Sequence, residues 1–469
     1  MKANHYAARI SVTIGSAVLW LLAACAAGPS LTPSTSATAG SSAIQVTVSP
    51  SAVGVRRGAT YNFGESVLNS TNQAVTWSIQ EGSEGGAIGD AGVYTAPSVD
   101  GTYHIVATSQ ADTTKSAVAT VTVMKSGFTS AGDMSFARLQ HTATLLPNGK
   151  VLIAGGGNGP DLIDGYYVVE QAEQFDPATA QFSPAGTLSR DGPTATLLTD
   201  GDVLYTGGES GWENLRPIVS NTADLARRAS GLFESTGSMA IGREAHAATL
   251  LADGRVLVTG GVIPSGIWWI PISEAEIYDP TSGTFAVVGN MNVARAYHTS
   301  TLLPNGKVLI TGGGYPTNSV NSAELFDPAT GSFTPTGQMT TARTSATATL
   351  LLNGRVLIVG GGGTTAELYD PSTGLFTPTG SVAIPRIWHT ATLLTDGTVL
   401  IAGGCSAGGE TASTEIYDPV TGSFTPGPSM RQGRFSHTAT LLPDGSVLFA
   451  GGAAGDNKIN VLTSAEIYH

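Results

Sequence analysis

Across most of the chain, apolar and polar positions alternate in runs of four to six residues, and turn residues interrupt them. The stretch HTATLLPNGKVLIAGG, from His141, shows the pattern. Alternation over Thr142–Leu145 predicts a strand with one wet face. The unbroken apolar run Val151–Ala154 predicts one buried on both faces. The Asn-Gly between them suits a two-residue hairpin turn. Two further runs follow most copies, as in AELYDP and, after an STG or ATG turn, SFTPTG. Each unit therefore predicts four antiparallel strands.

The unit recurs. Close copies begin at His298, His389 and His437, and looser ones at Pro193, His246 and Ala346. An Arg precedes each copy, at 138, 190, 243, 295, 343, 386 and 434, so the spacing is 43 to 53 residues. Self-similarity at such a period predicts a propeller or a solenoid. A double glycine ends the second strand of all seven copies, from Gly155-Gly156 to Gly451-Gly452.

The double glycine, the Tyr-Asp-Pro of the third strand and the aromatic of the fourth resemble the kelch repeat. The resemblance implies an all-β fold, a seven-bladed kelch β-propeller over 127–469. The chain departs from the pattern in having Phe where many kelch repeats carry Trp in the fourth strand. Its second repeat is degenerate, with ADLARRASGLFESTG in place of the third block. The seventh unit stops in its third strand, and Gly127–Gly132 reads as a free fourth strand. The expectation is that 127–132 completes the last blade and shuts the ring, which removes exposed edges.

Upstream, residues 44–124 alternate in short runs separated by turns, as in IQVTVSP, AVTWSIQ and AVATVTV. That spacing predicts a small β-sandwich. The order of its pieces resembles a bacterial Ig-like domain, with Trp77 as core tryptophan and a spacer role. Residues 1–25 have a basic start, an apolar run from Ile10 to Leu22 and the sequence Leu-Ala-Ala-Cys. They resemble a lipoprotein signal peptide whose Cys25 is lipidated. Residues 26–43 are rich in Ser, Thr, Ala, Gly and Pro and read as a flexible tether. The expectation is a protein lipid-anchored to the bacterial cell envelope, at the outer membrane or cell surface. Cys405 would then be the remaining thiol, with no intrachain disulfide.

Composition agrees with a turn-rich β protein: Gly is 60 of 469 residues and charged residues are 12%. The net charge of -13 argues against a nucleic-acid partner.

Several constellations could carry chemistry. The seven arginines match seven acids that open the third strands: Glu173, Asp224, Glu276, Glu324, Glu367, Glu415 and Glu466. Presence in every blade points to a repeated structural ion pair rather than a ligand ring. His141, His246, His298, His389 and His437 start five copies; structural histidines and a metal-binding ring are the two readings. The segment Arg-Ala-Tyr-His ending at His298 resembles a copper-ligand motif of galactose oxidase, which makes Tyr297 and His298 alternative copper ligands. The Cys-Tyr pair of that enzyme has no counterpart here. No carboxylate pair for a glycan-active hydrolase stands out beyond the repeated columns.

The loops between second and third strands vary most. Blades 1 to 3 carry long insertions, and the up-down strand order brings them to one face. Tyr166, Tyr167, Trp212, Trp268, Trp269 and Tyr315 would gather there, with Trp388 nearby. Aromatics on loops above a rigid scaffold suit glycan stacking or protein anchoring, and mutual packing of the loops is the other reading. The expected function is binding of a carbohydrate or protein ligand, with no cofactor. The alternative is a galactose-oxidase-like copper oxidase or another glycan-active enzyme.

Overall fold

The computed structural model describes residues 43–159, 167–213, 216–265, 268–314, 318–455 and 459–469, without the side chains of 212–216. The chain forms two compact units, one over Gly127–Leu442 and Ser446–Tyr468, the other ending its continuous stretch at Ser126.

Among the described residues, the smaller unit is all-β apart from one short 3-10 turn, Gly82–Gly85. Its main sheet has four strands, in the order Ala52–Arg56, Ser116–Met124, Gly101–Ser109, Val75–Ile79. A two-stranded and a three-stranded sheet accompany it. Alternate residues of each strand point inward, so Val53, Val55, Trp77, Ile105, Ala107, Val121 and Val123 share one core with Phe63 and Tyr94.

The larger unit has seven four-stranded sheets. In blade 1 the order is Thr142–Leu145 (strand A), Val151–Ala154 (B), Gln171–Asp176 (C) and Gln181–Thr187 (D), each antiparallel to the next. The A strands of successive blades lie side by side, and that of blade 7, Thr438–Leu441, returns to that of blade 1. The ring is therefore closed, with A strands innermost. Strand B is buried at all four positions in every blade, as its unbroken apolar run requires.

Blade 7 is built from both ends of the propeller segment. Its fourth strand is Phe128–Asp133, antiparallel to Ser464–Tyr468 with Phe128 opposite Tyr468. Phe128 packs edge-on against Phe449 at 5.3 Å. Without this strand, Ser464–Tyr468 would present an open edge.

The double glycines explain themselves in space. Gly360 has φ +71, and a Cβ there would lie 2.5 Å from both the Arg386 carbonyl oxygen and the His389 ring of the next blade. Gly361 has φ +73, and its Cβ would meet the Thr344 carbonyl oxygen at 2.6 Å within its own blade. One glycine admits the neighbouring blade and the other admits the blade's own entry turn.

Candidate functional site

Each blade is entered through a short turn that starts at the repeated Arg. In blade 5, Arg343 Nη2 donates to Glu367 Oε1 at 3.1 Å, with the two side chains 0% and 1% exposed. The same intrablade pair forms in all seven blades. In six blades the carboxylate also accepts a backbone N–H from the incoming connection, from Ser135, Ala240, Asn292, Thr340, Ala383 and Arg431. These repeated pairs are scaffold. They tie the inner strand to the third strand and to the preceding blade.

The histidine column is scaffold too. His298 Nε2 lies 2.9 Å from Thr259 Oγ1 of the preceding blade. His141, His246, His389 and His437 instead contact Thr438, Thr194, Thr347 and Thr390, the first residue of strand A in the preceding blade. Burial, then the charge of nearby arginines, lowers the pKa of His141 and His298 to about 3, and burial with Arg386 does the same for His389. The rings are therefore neutral spacers between blades.

The residue before each of these positions has a left-handed backbone. Gln140, Ala245, Tyr297, Ser345, Trp388 and Ser436 all have φ between 51 and 59. Gly192 holds the equivalent place in blade 2 with φ 58. Their amides step from blade to blade: Tyr297 N–H donates to Ala245 O, and Ser345 N–H to Tyr297 O, both at 3.0 Å. Tyr297 is 8% exposed in a cluster with Ala245, Val262 and Ala296. Tyr297 and His298 thus sit in the same structural slots as their counterparts in other blades. His298 turns its Nε2 to a threonine in the interblade wall. Among the described residues, no group of three His, Cys, Asp or Glu side chains is placed to hold a metal ion.

The variable loops form β-hairpins that continue beyond the blades. Those of blade 2, Glu209–Glu213 with Arg216–Val219, and blade 3, Val262–Ser265 with Trp268–Pro271, lie next to each other. Strand alternation splits the blade 3 aromatic pair. Trp268 is 70% exposed and Ile270 45%, whereas Trp269 packs inward on the cluster that holds Tyr297. Tyr167, in the blade 1 hairpin, is 52% exposed, and its hydroxyl accepts from Asn158 Nδ2 at 2.8 Å. Ile218 of blade 2 adds a further exposed apolar side chain. Trp388 belongs elsewhere: it is buried against Phe435 at 5.9 Å, with Leu139 and Ala453 around it, because its left-handed turn points it at the neighbouring blade. Tyr166, Tyr315 and Cys25 fall outside the described residues, as does the side chain of Trp212.

One feature escaped the sequence reading. Asp191, which follows the blade 2 Arg, bridges Glu209, which follows the blade 2 double glycine; each backbone N–H donates to the other's carbonyl at 2.8 Å. Both side chains are buried. Burial and then the charge of Glu209 push the Asp191 carboxyl well above the usual range. A carboxylate pair thus exists outside the repeated columns. Its two members are 18 residues apart, and only the blade 2 bridge brings them together. The usable signal was that both slots are apolar or small in most other blades, as at Leu139, Phe435 and Ala453.

Comparison with known proteins agrees with this architecture. The Kelch motif family model matches residues 389–431. A solved structure described as a novel fungal alcohol oxidase of the AA5 family, in complex with copper, is 18% identical, with a TM-score of 0.58, over 73% of this chain and 76% of that one. A structure described as YjhT is 14% identical, with a TM-score of 0.49, over 63% of this chain and 98% of its own. No curated protein matches. The larger unit is a kelch-repeat β-propeller, with a distant resemblance to the galactose-oxidase-like propeller fold.

Proposed function

We propose that the propeller is a binding module that presents the hairpins of blades 1 to 3 to a carbohydrate or protein ligand. The observation that carries this reading is Trp268, 70% exposed on a paired β-hairpin beside Ile270. A projecting tryptophan flanked by an aliphatic residue gives a large apolar contact area, as interface anchors do. Tyr167 and Ile218 extend the same set on the two neighbouring hairpins. The Cys25 lipid anchor, the tether and the Ig-like unit would link the propeller to an envelope membrane. Acyl chains plus a flexible stalk suit a receptor or adhesion role.

The test is a glycan and envelope-protein binding screen with wild type and Trp268→Ala. A ligand that binds wild type and loses at least tenfold in affinity with the variant supports the module. A ligand indifferent to Trp268, Ile270 and Tyr167 rejects the hairpin face. The competing reading is a copper oxidase, for which the AA5 likeness supplies a scaffold and no site. Copper loading followed by metal quantification checks it: one tightly held copper per chain that disappears in Tyr297→Phe or His298→Gln would reverse the ranking.

A further inference from the structure

Blade 2 departs from the other six at two places that meet in space. The first is the connection into the blade. Six blades have three residues between a buried Met or Val and the Arg, as in Met339-Thr-Thr-Ala-Arg343; the connection into blade 2 has one, Leu188-Ser189-Arg190. Leu188 nonetheless takes the usual anchor position: it is buried, and its N–H donates to Glu170 O at 2.7 Å, as Met339 N–H donates to Asn321 O. The missing residues belong to the turn that elsewhere covers the acid of the ion pair. The second departure is that acid. It is Asp224, one methylene shorter than the Glu of the other blades.

Together they open a cleft of about 270 Å³ above the pair, lined by Thr187, Ser189, Arg190, Ser210, Asp224 and Phe233 among others. The Asp224 side chain is 18% exposed, against 1% to 7% for its six counterparts. No backbone N–H from the short connection reaches it; Ser235 Oγ donates to Oδ1 at 3.0 Å instead.

The chemistry of the walls selects the occupant. All the Arg190 nitrogens are engaged, with Asp224, Gly207 O, Ser220 Oγ, Thr222 O and Thr222 Oγ1. No guanidinium donor remains for an anion, and the Asp224 carboxylate repels one. Three donors already reach Asp224, which leaves capacity for one more, since a carboxylate can accept about four. Ser189 Oγ donates to Glu170 Oε1 at 3.2 Å and Ser210 Oγ to Ile218 O at 3.3 Å, so these two hydroxyls offer lone pairs to a ligand, while that of Thr187 can donate or accept. Phe233, half-buried and tilted on Tyr205 at 5.5 Å, adds an apolar side. The volume lies just below the range of about 300–1,000 Å³ for small-molecule sites, room for one ring. We infer that this cleft binds a single neutral sugar ring, whose hydroxyls bond Asp224 and the Ser/Thr rim and whose C–H face meets Phe233. The site stands on the blade 2 departures alone and does not need the exposed hairpin aromatics.

Saturation-transfer NMR of the full chain against galactose, glucose, mannose and N-acetylglucosamine tests it. At least one sugar should bind in the millimolar range. Ser189→Trp, at the exposed rim, should weaken that binding at least tenfold, and Val420→Ala, at a 92% exposed turn of blade 6, should leave it unchanged; Trp268→Ala separates this cleft from the hairpin face. A second variant rebuilds the other blades: Asp224→Glu with two alanines inserted after Ser189 should keep the melting temperature and lose the sugar. No binding by wild type overturns the inference. So does binding that survives both cleft variants, or that only Trp268→Ala removes; the last result would leave the hairpin module standing.

Discussion

Arg343 Nη1 donates to the carbonyl oxygen of Gly360, 17 residues downstream, at 2.7 Å. The same offset joins Arg138 to Gly155, Arg190 to Gly207, Arg243 to Gly260, Arg295 to Gly312, Arg386 to Gly403 and Arg434 to Gly451. The guanidinium thus links the entry turn, the end of the buried second strand and, through the acid, the third strand. Each blade carries its own copy of this clamp.

Removing the acid should be costly. Glu367→Gln leaves the buried Arg343 charge without a counter-ion, and breaking such a pair costs about 3–5 kcal/mol. The exposed pair of Arg355 with Asp370, 49% and 24% accessible, is the control. Arg355→Ala should cost less than about 1 kcal/mol. Urea unfolding of the two variants separates a clamp from a surface contact, and equal costs would reject the distinction.

Acid should unfold the propeller early. His141, His298 and His389 are lowered from 6.5 to about 3 in the folded state. A depressed pKa gives stability that is present above pH 6.5 and lost as the pH falls toward 3. Each such histidine contributes a slope of about 1.4 kcal/mol per pH unit in that window. Three together would remove about 10 kcal/mol by roughly pH 4, which falls within the typical total stability of about 5–15 kcal/mol. A circular-dichroism titration that shows native structure at pH 3 would contradict the neutral interblade histidines.

Asp191 predicts the opposite trend. Its carboxyl is raised by burial and by Glu209. The stability it contributes is complete below pH 3.8 and falls as the pH rises through the elevated folded value. Asp191→Asn should therefore raise the melting temperature at pH 8 and leave it unchanged near pH 3. An equal effect at both pH values would show that charge is not the cause.

The closing strand gives a fourth expectation. Phe128 packs on both Phe449 and Tyr468 at 5.3 Å. Phe128→Ala should cost about 3 kcal/mol, the low end for large-to-small core changes because the ring is only half-buried. Deleting residues through Asp133 should go further and yield concentration-dependent oligomers, because the edge Ser464–Tyr468 is then free to pair with another chain. Size-exclusion chromatography across a dilution series measures this.

The seven blades, their four strands and the closing strand were legible in the chain. Those features rest on local period and turn chemistry, which repeat the same words seven times. The ion pairs were legible for the same reason, since a column of Arg opposite a column of acid survives even in the degenerate blade. The tertiary structure alone decided which aromatics face water. Trp268 and Trp269 are neighbours in sequence, yet strand alternation sends one outward and the other into the core. Trp388, in the turn before a strand A, is buried because its left-handed backbone sets its direction. Asp191 with Glu209, and Asp224 with the shortened connection at Ser189, are pairs of residues far apart along the chain. Side-chain direction and long-range juxtaposition depend on how blades pack, and no local pattern encodes that.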